Sequence, residues 1–380
     1  MIAHYKPNEQ DRPILNEITD SIRGSLGEWY GPRARLETAI PAISSYKNSF
    51  ILRYSVSIPD DRQKHILVKI RRNPKMDSLV QAIQADIHQN MEQEYLSLRN
   101  FYDHLTGMQE ELGAIRPLDY LDQFPAIVME EYPSRTLRRL LIDFRSSKAA
   151  WAGSDLQDAA RKTGKGLYYF HHHLNTSFEA DYTTGDILNV VGEYAEQIES
   201  YSRGRVKACS ILDPFSKQLE NIHIEQVTIS RTHSDMTIDN VLYSNERKVC
   251  LIDLKNQPAP VYVDLGLILI HPETSKSQIF SAGNYFPETL LQAYRNEIVA
   301  GYFEAEPGNA VLVRIYGAIM VVDKWLMYEK LMGNYKRVKR ALSILAAPLV
   351  SSYFNRLLRK HLTLIETAGD GQALKLPLVS

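Results

Sequence analysis

Near Tyr132 the texture of the chain changes, and that change limits the folds open to it. Before it, three runs rich in β-branched and aromatic residues, "ARLETAI", "SFILRYSVS" and "HILVKIRR", alternate with turn-forming stretches and predict an antiparallel meander. An amphipathic helix over residues 10–27 precedes them, with Ile14, Ile18, Ile22 and Leu26 at four-residue spacing. It can cap the sheet or serve a dimer contact. A long helical pattern runs from about Asp77 to Leu105, and "AIRPLDYL" and "FPAIVMEEY" then read as two more strands. After Tyr132, "SRTLRRLLIDF", "DLQDAARKTGKGLYYFHHHL" and "GDILNVVGEYAEQIESYSR" are helical, as is almost everything beyond residue 285. Strand-like runs in this part are confined to the region 231–254. A strand-rich lobe followed by a helix-rich lobe is α+β organisation with a cleft expected between them, a favoured place for a ligand. The expected division is a helical extension at 1–30, a strand-rich lobe at 31–132 and a helical lobe at 133–380.

The bulk properties fit a chain with a large core. Apolar residues make up 44% and charged residues 23% of its 380 residues. The formal net charge of -1 gives no surface for nucleic acid or another polyanion. The start, "MIAHYKPNEQDRP", lacks the apolar core of a signal peptide. The most apolar stretches are broken by Asp264 and Arg314 and are too short to span a bilayer, so no membrane association is expected. Cys209 and Cys250, the two cysteines, lack metal-type spacing and read as reduced thiols of a cytoplasmic protein.

The chemistry concentrates in "RTHSDMTIDNVLYSNERKVCLIDL", residues 231 to 254. It reads as strand, polar loop, strand, and carries His233, Asp235, Asn240 and Asp253. Asp235 fits a strand-exit loop, where a carboxylate can orient a substrate hydroxyl. Asn240 and Asp253 offer hard oxygens to Mg²⁺. "NVLYS" turns at "NERK" and returns as "VCLIDL", which brings Asp253 back beside Asn240. The plain alternative is a polar turn region with no chemistry.

The pattern H-x-D-x-x-x-x-N followed by I-D resembles the catalytic and metal-binding loops of the protein-kinase-like fold, most closely the aminoglycoside phosphotransferase and choline kinase branch. That resemblance implies a bilobal fold with an antiparallel-sheet N-lobe and a mostly helical C-lobe. It implies Asp235 as the catalytic aspartate and Asn240 and Asp253 as magnesium ligands. His233 would brace the loop, and Asp264 in "VYVDLGLIL" would tie it together. Two departures stand out. Ser234 occupies the family's usual glycine position, and Leu254 and Lys255 replace the aromatic and glycine after the metal aspartate.

A second set of residues would hold the nucleotide. In "HILVKIRR", Ile66, Val68 and Ile70 share one strand face and Leu67 and Lys69 the other. Leu67 would then meet the adenine and Lys69 the phosphates. By resemblance Lys69 pairs with Glu94 on the long helix; Glu92 lies about 200° around that helix, so both cannot face the lysine. Ser44 and Ser45, in the glycine-free loop "PAISSYKNS", can serve the phosphates with Lys47. Met129 would lie behind the base, and backbone groups of Glu130 to Tyr132 would read it, ATP being expected and GTP left open. Plain alternatives are a solvated strand lysine at 69 and an exposed helix charge at 94. His171, His172 and His173 read as packed and exposed ends of a helix, since consecutive helical residues point in different directions. The arginines of "TLRRLLIDFR" read as a solvated face.

No A-P-E motif follows Asp253, and the gap to Asp264 is short, which favours a small hydroxyl compound over a protein acceptor. A sugar, an aminoglycoside and an amino alcohol all remain open. Glu273, Glu288, Glu297, Glu304 and Glu306 can meet a polycation, and Trp325 with some of the 22 tyrosines can cage a quaternary amine. From another class, a catalytically silent kinase-like protein that binds a nucleotide or a partner is the rival. The sequence says nothing of oligomeric state.

Overall fold

The computed structural model describes residues 3–59, 63–85, 88–105, 111–147, 150–304, 309–333 and 337–369. The chain divides into two compact units, Met1–Ser134 and Arg135–Ser380.

The first unit is built on an antiparallel sheet whose main path runs Ala3–His4, Ala42–Ser45, Ser49–Ser57, Lys64–Arg71, Ala126–Glu130, Pro117–Leu121, with Arg35–Leu36 paired beside Ser49–Ser57. Alternation decides its faces. Phe50, Leu52, Tyr54 and Val56 on one strand and Ile66, Val68 and Ile70 on the next are all buried in one apolar core. The helix Asp11–Tyr30 adds Leu15, Ile18, Ile22 and Leu26 to that same core, so it covers the sheet. Truncating Ile18 or Ile22, both fully buried, to alanine costs about 2–5 kcal/mol. Asp11 opens the helix with a buried carboxylate. It accepts from the amides of Leu79 and Val80 at 3.0 and 3.3 Å, satisfying the start of the next helix, Leu79–Ile83.

Two expectations shift here. The run "ARLETAI" yields only the short strand Arg35–Leu36, and the hairpin partner of Ser49–Ser57 is Ala42–Ser45. Ser44 and Ser45 are therefore strand residues, paired with Ile51 and Phe50, and the turn shrinks to 46–48. The reason is burial: Ile43 is 4% exposed, and pairing in this register is what puts it in the core. The helical pattern from Asp77 to Leu105 resolves into two elements, Leu79–Ile83 and His88–Leu105.

The second unit is mostly helical. Its strands Phe178–Asp181, Gln226–Thr232 and Gln257–Pro260 form one small antiparallel sheet, and Val241–Ser244 and Val249–Leu251 form a hairpin. The first and third of those strands carry no signal in the sequence pattern. Helix Asp155–Tyr169 crosses Glu288–Tyr302 where glycine allows it. A Cβ on Gly164 would stand 2.0 Å from the Ile298 carbonyl oxygen, and one on Gly301 1.9 Å from that of Arg161. This close crossing sets Tyr302 against the residues that follow Tyr169. Among the described residues no helix is long and apolar enough to cross a membrane.

Candidate active site

In the first unit, Lys69 stands on the sheet face opposite the apolar core. Its Nζ donates to Glu94 Oε1 at 2.5 Å, and the two side chains are 11% and 13% exposed. The lysine is thus held by a carboxylate rather than solvated, and Glu94, not the exposed Glu92, is the residue that holds it. Arg71 Nη2 approaches the other Glu94 oxygen at 3.9 Å. Register places Leu67 opposite Met129 and Lys69 opposite Ile127. Ser44 lies opposite Ile51, which lies opposite Lys69, so Ser44 shares the face of Lys69. Ser45, opposite Phe50, belongs to the core-facing row, so the two serines do not act on one face. Of the 130–132 segment, the Glu130 amide donates to the Arg116 carbonyl at 3.0 Å and the Glu131 amide to the His65 carbonyl at 2.8 Å. Tyr132 lies directly against Gly113, where a Cβ would meet its hydroxyl oxygen at 2.0 Å.

In the second unit, strand Gln226–Thr232 delivers the chain into the loop His233–Asn240. Asp264, fully buried at the start of helix Tyr262–Ile270, receives both of the loop's first amides: His233 N at 2.6 Å and Ser234 N at 2.9 Å. Ser234 has φ 61°, in the left-handed region, which explains why glycine suits this position. The serine hydroxyl bonds the Thr232 hydroxyl at 2.8 Å. Met236 and Ile238, fully buried, anchor the loop's middle. His233 contacts the Ile252 carbonyl through Nε2 at 2.7 Å.

The hairpin register pairs Val241 with Leu251, and the Ile252 amide donates to the Asn240 carbonyl at 3.0 Å. Asn240 and Asp253 are therefore neighbours across the ladder. Asn240 Nδ2 donates to the Asp235 carbonyl at 2.8 Å, which commits the amide nitrogen to the loop and leaves Oδ1, an acceptor, as the atom that can ligate. Asp253 has φ 62°, a left-handed conformation that aspartate tolerates better than most residues. A carboxylate and an amide carried on neighbouring backbone positions are the hard-oxygen types that suit a divalent ion such as Mg²⁺, which takes few protein ligands and completes its shell from phosphates and water.

One supporting residue had no distinct signal in the sequence. Helix Asp155–Tyr169 ends in a π-helical turn, Phe170–Leu174, and its wider winding turns His171 inward. His171 is fully buried; its Nε2 meets Asp264 Oδ2 at 3.0 Å and its Nδ1 the Tyr302 hydroxyl at 2.9 Å. Its carbonyl accepts from the Ser230 hydroxyl at 2.6 Å. The histidine run held the clue, but regular helical spacing gives no reason to choose the first of the three.

The residues considered for an acceptor are mostly committed elsewhere. Glu273, buried, contacts Arg295 at 2.8 Å, Lys360 at 2.7 Å and His361 at 3.0 Å. Burial alone would raise its pKa, but His361, Arg295 and Lys360 outweigh burial and hold the carboxyl well below the usual range. Glu288 pairs with Arg295 and Lys360, Glu297 with Arg161, and Glu304 with Arg161 and Lys165. Glu306 lies outside the described residues. Trp325 is 2% exposed, stacks on Phe354 and donates to Glu329, so it is core and not cage. In the arginine-rich helix Leu137–Ser146, Arg138 grips Asp239 of the loop with two bonds, at 2.5 and 2.7 Å, and Arg139 pairs with Asp143.

No protein-family profile and no curated protein matches the chain in sequence. Solved structures do match in shape. A glucosamine kinase in complex with glucosamine, ADP and inorganic phosphate superposes with a TM-score of 0.52 at 11% identity, over 88% of this chain and 82% of that one. A choline/ethanolamine kinase family protein from Mesorhizobium loti gives 0.46 at 13% identity, over 92% and 99%. A macrolide 2'-phosphotransferase from Brachybacterium faecium gives 0.46 at 12%, over 89% and 96%. At such identity the first of these establishes the fold: the chain has the α+β, kinase-like architecture expected from its sequence.

Proposed function

We propose that the chain is a Mg²⁺-dependent phosphotransferase that moves the terminal phosphoryl group of ATP to a hydroxyl of a small molecule. The observation that carries this reading is the buried Asp264 clamp on the 233–234 amides, which fixes the loop bearing Asp235 while the hairpin sets Asn240 beside Asp253. Phosphoryl transfer asks for little else: an oriented nucleophile, a metal on the phosphates and cations against the developing charge. Asp235 orients the acceptor hydroxyl and takes its proton. Asn240 and Asp253 hold the metal, which when bound neutralises phosphate charge. His233 and Asp264 keep the loop in place. In the first unit Lys69, steadied by Glu94, meets phosphate oxygens, and Ser44 shares its face. Leu67 and Met129 pack against the base, which backbone groups of 130–132 read; GTP enters the same test as ATP.

Among acceptors, a sugar or amino sugar fits better than a polycationic aminoglycoside or a quaternary amine. Glu273, Glu288, Glu297 and Glu304 already neutralise cations of the fold, and Trp325 is buried. The glucosamine kinase of the same fold was captured with an amino sugar and ADP. A cytoplasmic location, where Mg²⁺ and ATP are abundant, accords with this reading.

The test is Mg²⁺-dependent nucleotide binding and slow ATP hydrolysis by wild type, Asp253→Asn and Asp235→Asn. Asp253→Asn loses metal-dependent binding, whereas Asp235→Asn binds and loses turnover. A wild type that does not bind Mg-nucleotide contradicts the proposal and points to a silent binding module.

A further inference from the structure

The loop that carries Asp235 reads H-S-D-M-T-I-D-N and contains no lysine or arginine, yet Asp235 is not alone. Lys255, two residues past Asp253, brings Nζ to 3.3 Å from Asp235 Oδ2. Both side chains are about two-fifths exposed, at 41% and 43%. An exposed pair of this kind contributes about 0–1 kcal/mol to stability and by itself means little. The backbone beneath the lysine is what distinguishes it. The Lys255 amide donates to the His233 carbonyl at 3.3 Å, and the Ile252 amide to Asn240 at 3.0 Å. Leu254 is buried, and the Asn256 and Gln257 carbonyls accept from Arg231 at 3.1 Å and Thr232 at 3.0 Å. Asp253 and Asn256, on either side, both sit in the left-handed region, at φ 62° and 55°. Such a conformation costs a non-glycine residue about 1–2 kcal/mol and persists where surroundings enforce it. The cation is thus mounted on a segment pinned to the loop it serves.

We propose that Lys255 is a positioning residue for the transfer, holding one oxygen of Asp235 so that the other is presented to the acceptor hydroxyl. The inference rests on the phosphotransferase reading above. In the step, the hydroxyl oxygen bonds to the terminal phosphorus as the bridging oxygen–phosphorus bond breaks, its electron pair leaving with the nucleoside diphosphate. The hydroxyl proton passes to Asp235 Oδ1. Lys255 stays on Oδ2, which favours the carboxylate orientation that leaves Oδ1 to the hydroxyl. A mispositioned general base costs on the order of 10- to 100-fold in rate, because reactivity depends steeply on alignment.

The experiment uses the full chain with Mg-ATP and water as the acceptor, comparing wild type with Lys255→Met and Lys255→Arg. For Lys255→Met, kcat is expected to fall on the order of 10- to 100-fold with KM for Mg-ATP and thermal stability unchanged, and Lys255→Arg recovers part of the loss. Lys255→Met with wild-type kcat overturns the inference and leaves the phosphotransferase reading intact. Raised KM with kcat preserved also overturns it, assigning Lys255 to the nucleotide. A wild type that neither binds Mg-ATP nor turns it over overturns both readings together.

Discussion

Two aspartates of the second unit, Asp264 and Asp235, belong to one loop system and live opposite lives. Asp264 is fully buried and saturated, accepting two backbone amides and meeting His171. Asp235 is 43% exposed and faces one ammonium, that of Lys255. The buried carboxylate is committed to three partners, shut away from solvent, and fixes geometry. The exposed one has its backbone held by Asn240 at its own carbonyl and by Asp264 through the two amides before it, while its side chain reaches solvent. Rigidity and reactivity are separated onto different residues, joined by the amides of His233 and Ser234.

If that division is right, the two positions respond in opposite ways. Asp264→Ala leaves two amides and a buried histidine without their acceptor, at about 1–3 kcal/mol each, and denaturant unfolding should register a loss of several kcal/mol. Asp235→Asn should leave unfolding within about 0.5 kcal/mol of wild type. An equal loss from both substitutions would erase the distinction. Glu273 extends the comparison to a second buried carboxylate. Glu273→Gln leaves Arg295, Lys360 and His361 partly uncompensated and should cost about 3–5 kcal/mol in unfolding, with Mg-nucleotide binding unchanged.

Acid should act on the buried groups first. Burial, with the charges of Arg138 and Lys324, pushes the His271 pKa down to about 3, below its unfolded value of about 6.5. Between those values the unfolded chain binds the proton and the folded one does not, so stability falls as pH drops below about 6.5. Glu273, held well below the ordinary glutamate range, adds a second loss once pH falls below about 4.3. Thermal melts from neutral to acid pH check this, and His271→Gln should flatten the upper part of the fall. The smallest change belongs to a half-exposed pair: Arg138→Ala, which frees Asp239, should cost no more than about 1 kcal/mol in the same melts.

Much of this was legible in the sequence where local pattern carries the information. Ile66, Val68 and Ile70 alternate with Leu67 and Lys69, and the faces of the strand follow. The turn at 245–248 sets the ladder that makes Asn240 and Asp253 neighbours. What stayed hidden depends on partners distant in the chain. The strand Ala42–Ser45 is too short to announce itself and is defined by pairing with Phe50–Arg53. His171 reaches Asp264 only because a π-helical turn departs from regular spacing. The carboxylates Glu273 and Glu288 looked available because Lys360 and His361, which meet Glu273, and Lys360, which meets Glu288, lie far down the chain.

The most direct measurement incubates the protein with Mg-ATP and a pool of sugars, amino sugars, aminoglycosides and amino alcohols, then follows each compound and the protein itself by mass. One small hydroxyl compound should gain a phosphoryl group with wild type and none with Asp235→Asn. Phosphate appearing on the protein alone, or unabated transfer by Asp235→Asn, would contradict a catalytic role for the exposed aspartate.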